Sequence, residues 1–260
     1  LKKEIKLKKL YLNYINKVEQ IHFGGGTPTF FTQKQLIKLI TIIKKYFNIK
    51  NISSNSIEID PRNFYFSYIT LLKNIGINQI SIGVQDLNKK TQKIINRIQT
   101  KKETYNIINK IKKENFSSIN IDLIYGLPKQ TKKSINQTIR KILKLNPNRI
   151  TLFNYAHIPN KFRSQKKINI TILPSPNQKL KIFKLIINIL SKKKYQYIGM
   201  DHFAKKTNEL TIAKKNNTLH RNFQGYSTNF NCYLLGLGVS AISSFKNNYN
   251  QNIYSINKYK

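Results

Sequence analysis

The segment Ile21-His22-Phe23-Gly24-Gly25-Gly26-Thr27-Pro28-Thr29 holds the densest group of residues whose types could do chemistry. Three successive residues without Cβ let the backbone approach a ligand closely and offer it N–H and C=O groups. This is not a phosphate loop of the Walker kind, because no Gly-Lys-Ser/Thr follows and no helix begins directly after Gly26. Downstream, polar tips recur at the ends of apolar runs: Glu58 and Asp60, Gln85-Asp86, Asp122 before Tyr125-Gly126-Leu127-Pro128, and Tyr155-Ala156-His157. Taken singly, Asp122 or Glu58 is as well explained by loop capping, and each glycine by a tight turn. Their recurrence at five successive strand ends favours a ligand site. A second glycine pattern, Gly236-Leu237-Gly238-Val239-Ser240-Ala241, matches the dinucleotide fingerprint, but no Asp or Glu follows Glu209 to hold a ribose, and a nicotinamide site is not expected.

The background against which these islands stand is Lys, Asn and Ile, the signature of codons drawn toward AAA, AAT and ATT. Every histidine (His22, His157, His202, His220) and every glycine except Gly76 lies in or beside an island. The chain has 260 residues, 40% of them hydrophobic, enough for one large core. No apolar run approaches the length of a membrane span and no signal peptide precedes the first motif, so a soluble cytoplasmic protein is the expectation. Cys232 is the single cysteine, which excludes a disulfide framework or a multi-cysteine metal site within these residues, so no metal ligand is assigned. The net charge of +37 raises the question of nucleic acid. The lysines are scattered over every segment and only Arg62, Arg97, Arg140, Arg149, Arg163 and Arg221 carry the guanidinium fork, so specific nucleic-acid binding is not expected.

The elements that must position the islands alternate. Periodicity predicts helices over 2–18, 33–47, 64–75, 88–98, 102–114, 133–145 and 177–193, a Pro-marked loop over 159–176, and strands over 19–24, 56–60, 78–84, 118–124, 149–155 and 196–200. Strands separated by helices, with no hairpin signal between them, predict right-handed crossovers and a parallel sheet in an α/β fold, a (β/α) barrel or partial barrel. In that architecture the strands' carboxyl ends form the active face, where the islands fall.

At this point the residues resemble a known family. His22-Phe23-Gly24-Gly25-Gly26-Thr27-Pro28, Ser81-Ile82-Gly83-Val84-Gln85-Asp86, Asn120-Ile121-Asp122-Leu123-Ile124-Tyr125-Gly126-Leu127-Pro128, Gly199-Met200-Asp201-His202-Phe203-Ala204 and His220-Arg221-Asn222-Phe223-Gln224-Gly225-Tyr226 resemble the oxygen-independent coproporphyrinogen III oxidases, radical S-adenosylmethionine (SAM) enzymes of haem biosynthesis. Related radical SAM haem chaperones share the glycine and Gly-Val-Gln elements but usually show Leu-Gly-Arg-x-His where this chain has Ile95-Asn96-Arg97-Ile98-Gln99.

The resemblance implies a partial radical SAM barrel over 1–200, with 201–260 beginning a C-terminal substrate and second-SAM region. It implies that Gly25, Gly26, Thr27, Glu58, Gln85, Arg97 and Asp122 match positions contacting the cluster-bound SAM. There carboxylates and an amide suit ribose hydroxyls and an α-ammonium, and Arg suits a carboxylate. Ala156, Gln224 and Ile242 match positions near a second SAM, and Asp201, His202 and Arg221 the substrate pocket; for His202 a purely structural imidazole is an equal expectation. The implied chemistry is hydrogen abstraction by a 5′-deoxyadenosyl radical from propionates of coproporphyrinogen III, giving protoporphyrinogen IX, with electrons from a donor such as flavodoxin or ferredoxin, in a monomer.

The family also holds a [4Fe–4S] cluster with Cys-x-x-x-Cys-x-x-Cys, after a first barrel strand and before the helix expected at 2–18. That strand and loop are absent from these residues, and the C-terminal domain is expected to be incomplete. Two alternatives follow. The chain is a segment of a working oxidase, or it is a cluster-less remnant or SAM- or tetrapyrrole-binding module without radical chemistry. Loss of the first strand would leave an exposed sheet edge and a tendency to aggregate.

Overall fold

The computed structural model describes residues 1–12, 17–49, 54–62, 64–229 and 231–260. In chain order the elements are α1 (Lys2–Tyr11), β1 (Lys17–Val18), β2 (His22–Phe23), α2 (Gln33–Tyr46), β3 (Asn48–Ile49), β4 (Ser56–Ile59), α3 (Phe66–Asn74), β5 (Gln79–Gln85), α4 (Lys89–Ile94) and α5 (Lys101–Lys113). They continue as β6 (Ser118–Tyr125), α6 (Lys132–Lys144), β7 (Arg149–Asn154), α7 (Pro176–Lys192), β8 (Tyr195–Gly199), β9 (His202–Lys205), α8 (Glu209–Lys215), β10 (His220–Asn222), β11 (Gly225–Ser227), β12 (Ile242–Phe245), β13 (Asn248–Gln251) and α9 (Ile256–Tyr259).

These elements fall into two compact units. One comprises His22–Phe30 and Ser56–Thr211; the other comprises Leu1–Ile21, Phe31–Asn55 and Ile212–Lys260. The first carries a seven-stranded sheet in the order β2-β4-β5-β6-β7-β9-β8. The pairs from β2 through β7 are parallel, as the repeated strand–helix grammar requires. The sheet is mixed at its far side, because β9 pairs antiparallel with both β7 and β8. The expected strand at 196–200 is therefore the first arm of a hairpin whose second arm, His202–Lys205, the sequence pattern did not give. Its turn is made by Met200 at φ 43°, a left-handed conformation at a residue that does not advertise a turn.

Side chains in the parallel strands alternate. On β4 and β5, Ile57, Ile59, Ile80, Ile82 and Val84 are buried, as are Ile119, Ile121 and Leu123 on β6. They form a core with isoleucines of α3, α5 and α6 such as Ile69, Ile108, Ile111, Ile135 and Ile139. The residues between them, Ser56, Glu58, Ser81, Gly83, Asn120 and Asp122, point to the other, inner face. A parallel sheet buried equally on both sides would carry apolar residues at every position, so this alternation marks an inner face kept for polar work.

Helix ends have local causes. Thr100, Thr131 and Ser175 cap α5, α6 and α7 with reciprocal capping boxes. Stops are set by asparagine: Asn96, Asn115 and Asn146 follow α4, α5 and α6 at φ 50°, 54° and 49°. The expected helix over 88–98 ends at Ile94 for this reason. Arg97 N–H reaches back to the Gln92 carbonyl at 2.9 Å, closing the last turn over Asn96.

In the second unit, Thr32 caps α2 with another such box, and short β1 pairs parallel with β3. Two hairpins, β10–β11 and β12–β13, follow. The helix expected over 2–18 ends at Tyr11; residues 13–16 lie outside the described residues, and Lys17–Val18 form β1 instead. Glu4 of α1 accepts hydrogen bonds from Gly238 N, Asn252 Nδ2 and Tyr259 Oη, joining α1 to the C-terminal segments. The strand expected at 19–24 is reduced to His22–Phe23 of the first unit, an edge strand paired only with β4. The dinucleotide-like glycines lead into β12 rather than a helix.

Because Ile121 is fully buried in the middle strand of the sheet, Ile121→Ala is expected to lower the free energy of unfolding by about 2–5 kcal/mol, read from urea transitions.

Candidate functional site

The glycine island turns where β2 ends. Gly25 and Gly26 have φ of 75° and 61°, and a Cβ built on either meets nothing within 4 Å, so backbone conformation requires glycine there and the space above stays open. Gly24 serves differently: a Cβ on it would lie 2.4 Å from His22 Nε2 and 3.0 Å from Glu58 Oε1. It makes room for a His–carboxylate pair. His22 Nδ1 contacts Ser56 Oγ at 2.8 Å, and its Nε2 lies 3.4 Å from Glu58 Oε1. Gly25 N–H donates to Glu58 Oε2 at 3.3 Å. The hydrogen bond from His22 holds the Glu58 carboxyl below its ordinary range against the opposing effect of burial. Thr27 follows, its carbonyl accepting from Phe30 N–H.

Asp122 lies at the centre of the inner face. Ser81 Oγ donates to Asp122 Oδ2 at 2.8 Å, and Asn120 Nδ2 donates both to Asp122 Oδ1 at 2.7 Å and to Ser81 Oγ at 2.8 Å. Thr151 Oγ1 donates to Asn120 Oδ1 at 3.1 Å. Three strands in register, with Ser81 opposite Asn120 and Asp122 opposite Thr151, place these groups together. Loss of water raises the Asp122 pKa to about 6, with the nearby Glu58 charge adding to the rise and the Ser81, Asn120 and Thr151 hydrogen bonds opposing it.

Gln85 ends β5 at an irregularity in the ladder with β6, at φ 65°. Such a bulge re-aims a side chain. Gln85 Oε1 is buried without a hydrogen-bond partner among the described residues, and so is Arg97 Nε. Arg97 Nη2 donates to the Gly83 carbonyl at 2.8 Å and its Nη1 lies 3.1 Å from Asp60 Oδ2. Desolvation lowers the Arg97 pKa, opposed by the charges of Asp60 and Asp122. Asp86, adjacent in sequence, has another role. It is fully buried and accepts from Thr138 Oγ1 at 2.6 Å and Gln130 Nε2 at 2.9 Å, bolting the end of β5 to α6 and its preceding loop.

The structure thus links Gly25, Glu58, Gln85, Arg97 and Asp122 on one inner face, with Gly26 and Thr27 following along the chain. Asp201 and His202 belong to the same unit. The Asp201 carbonyl accepts from Leu152 N–H at 2.7 Å; burial raises the Tyr125 pKa, and the Asp201 carboxylate adds to the rise. Ala156 is exposed beyond β7, its carbonyl accepting from Gln165. Arg221, Gln224 and Ile242 belong to the other unit: Arg221 lies over the Tyr226 ring, Gln224 is exposed in the β10–β11 turn, and Ile242 opens β12. His22, Ser81, Asn120 and Thr151 were missed as site residues. The polar alternation of β5 and β6 was the available signal.

The Radical SAM superfamily model matches residues 2–142, and the chain belongs to that superfamily. Within it, the chain is 45% identical to the oxygen-independent coproporphyrinogen III oxidase of Pseudomonas aeruginosa over 99% of its own length and 56% of that protein's. It is 42% identical to the Helicobacter pylori (strain J99) protein of the same name, over 100% of this chain and 57% of that one. The solved structure of coproporphyrinogen III oxidase (HemN) from Escherichia coli, described as a radical SAM enzyme, superposes with a TM-score of 0.95 at 42% identity, covering 98% of this chain and 59% of that chain. The chain thus spans about half the length of the curated relatives it matches. Native anSMEcpe with bound AdoMet shares the fold at TM-score 0.56 and 16% identity, over 73% of this chain and 50% of that one.

The inner face suits the SAM that membership in this superfamily implies. It offers two carboxylates to a ligand with cationic centres and hydroxyls, an unpartnered acceptor on Gln85, an unpartnered donor on Arg97, and an open glycine turn. An iron–sulfur cluster does not fit. Cys232 is the single cysteine of the sequence and is exposed, and no group of His, Cys, Asp and Glu among the described residues could hold a metal ion. No helix among the described residues is long and apolar enough to cross a membrane.

Asp122 holds its proton more tightly folded than unfolded, where the ordinary value is 3.8. Its ionisation therefore costs stability progressively as pH rises from about 4 through 6, with no further loss above. Asp122→Asn cannot ionise, so the stability difference between parent and variant is expected to move by about 2 kcal/mol in the variant's favour between pH 4 and pH 8. Urea unfolding at both pH values measures it.

Proposed function

We propose that the inner face of the first unit binds SAM and that this chain is the SAM-binding part of an oxygen-independent coproporphyrinogen III oxidase. The observation that carries this reading is the convergence of Glu58, Asp122, Gln85 and Arg97 beside an open glycine turn, two of them with unsatisfied buried atoms. Glu58 and Asp122 take the ribose hydroxyls and the α-ammonium, Arg97 takes the α-carboxylate, and Gly25, Gly26 and Thr27 line the amino-acid part. SAM supplies a deoxyadenosyl group able to abstract hydrogen once activated. The chain's own contribution is to bind, orient and exclude water.

In the whole protein the substrate is coproporphyrinogen III and the product protoporphyrinogen IX. The 45% identity to the Pseudomonas enzyme and the TM-score of 0.95 to the E. coli structure support this assignment. Residues 1–200 supply the barrel and residues 201–260 begin the substrate region, with Asp201 and His202 facing the tetrapyrrole and Ala156 near a second SAM. The protein works as a cytoplasmic monomer, and its net charge of +37 suits an anionic electron carrier such as flavodoxin or ferredoxin. Anaerobic turnover of coproporphyrinogen III by the full-length protein, with carbon dioxide released, tests the activity.

Binding is tested separately by calorimetry. Asp122→Ala is expected to weaken SAM at least tenfold, and parental affinity in that variant would overturn the role given to Asp122. A cation seated beside Asp122 lowers its pKa, so a group half-protonated near pH 6 must lose its proton as SAM binds. Titrations in buffers of different ionisation enthalpy should show about half a proton released per SAM at pH 6 and almost none at pH 8.

A further inference from the structure

Asp60 and Arg62 lie just beyond β4, outside the set of residues assigned to SAM. Asp60-Pro61-Arg62 is a local turn in which Arg62 N–H donates to Asp60 Oδ1 at 3.0 Å. The Arg62 guanidinium closes on the same carboxylate: Nε lies 3.0 Å from Oδ1 and 3.1 Å from Oδ2, and Nη2 lies 2.7 Å from Oδ2. A carboxylate has about four lone-pair directions, and Arg62 uses most of them. Arg97 is left one corner, its Nη1 at 3.1 Å from Oδ2, while its Nη2 is held by the Gly83 carbonyl. Arg97 is thus oriented at two points without being chelated, and its Nε stays unpartnered.

Charge points the same way. A lone Asp60–Arg97 pair would be neutral and would hold no net attraction for an anion. Two arginines on one carboxylate leave the group at +1. Asp60 is held below the ordinary carboxylate range, burial being outweighed by the Arg62 hydrogen bonds and the two guanidinium charges, so the group is ionised at neutral pH.

We propose that Asp60 and Arg62 are positioning residues for Arg97: Asp60 fixes the guanidinium, and Arg62 saturates Asp60 so that Arg97 keeps both a free N–H and a net positive charge for a ligand carboxylate. This rests on the assignment of the SAM carboxylate to Arg97. Without Arg62, the two free oxygens of Asp60 would recapture Arg97 as a bidentate pair and withdraw it from the ligand.

The test compares SAM with decarboxylated SAM, which lacks only the α-carboxylate, by calorimetric titration of the full chain. Arg62→Gln and Asp60→Asn are each expected to weaken SAM at least tenfold and to leave decarboxylated SAM within twofold of the parent. Arg62→Lys, which restores charge but not the fork, should recover part of the loss. Equal weakening of both ligands would show a merely structural role and overturn the proposal, as would unchanged SAM affinity in either variant. Failure of the underlying assignment looks different: a parent protein that binds both ligands equally, or neither, would remove Arg97 from the carboxylate whatever Asp60 and Arg62 do.

Discussion

A carboxylate kept from water in the middle of a sheet face is the constraint around which the first unit is arranged. Asp122 cannot be placed there without donors, and the donors come from neighbouring strands: Ser81 from β5, Asn120 from β6 itself, with Thr151 of β7 supporting Asn120. Each is useful only if the parallel register is held. A slip of one residue would send isoleucines inward and Asp122 into the helix-packed core. The apolar side of the sheet therefore does more than stabilise; its fully buried isoleucines fix the register that gives Asp122 its partners. The net result is a carboxyl whose proton is lost near neutrality, a state a neighbouring cation can change.

Around that centre, charge is arranged in opposite senses. On one side His22 and Gly25 N–H keep Glu58 ionised. On the other, Asp60 stabilises Arg97 against the cost of its burial. An anionic and a cationic anchor stand on the same face, a pattern suited to a zwitterionic ligand and poorly suited to a simple anion or a simple cation.

Much of this was legible in the sequence, for physical reasons that differ by residue. The helices were visible because their apolar residues recur at helical spacing, and the glycine turn because few residues tolerate its backbone; the caps Thr100, Thr131 and Ser175 fix where α5, α6 and α7 begin. Glu58 and Asp122 stood out as rare acids at strand ends. Arg97 was read only through family resemblance: it returns to β5 because Asn96 adopts a left-handed conformation, and asparagine is so common here that the one stopping α4 looked like background. That background has structural functions, with Asn115 and Asn146 ending helices in the same way. Ser81, Asn120 and Thr151 were hidden because strand register, not chain spacing, brings them together. The β8–β9 hairpin was missed because its turn is built on Met200 rather than on glycine or asparagine.

The reversal of β9 decides what lies beneath Asp122. A strand running against its neighbours delivers the following chain to their amino ends, and there Glu209 accepts from Gln79 Nε2 at 2.7 Å. Arg149 completes the group by donating to Gln79 Oε1 at 3.0 Å, while Asn208 reaches Ser118. The inner face thereby acquires a floor. This polar network occupies the strands' amino ends, opposite the carboxyl ends where the glycine turn lies.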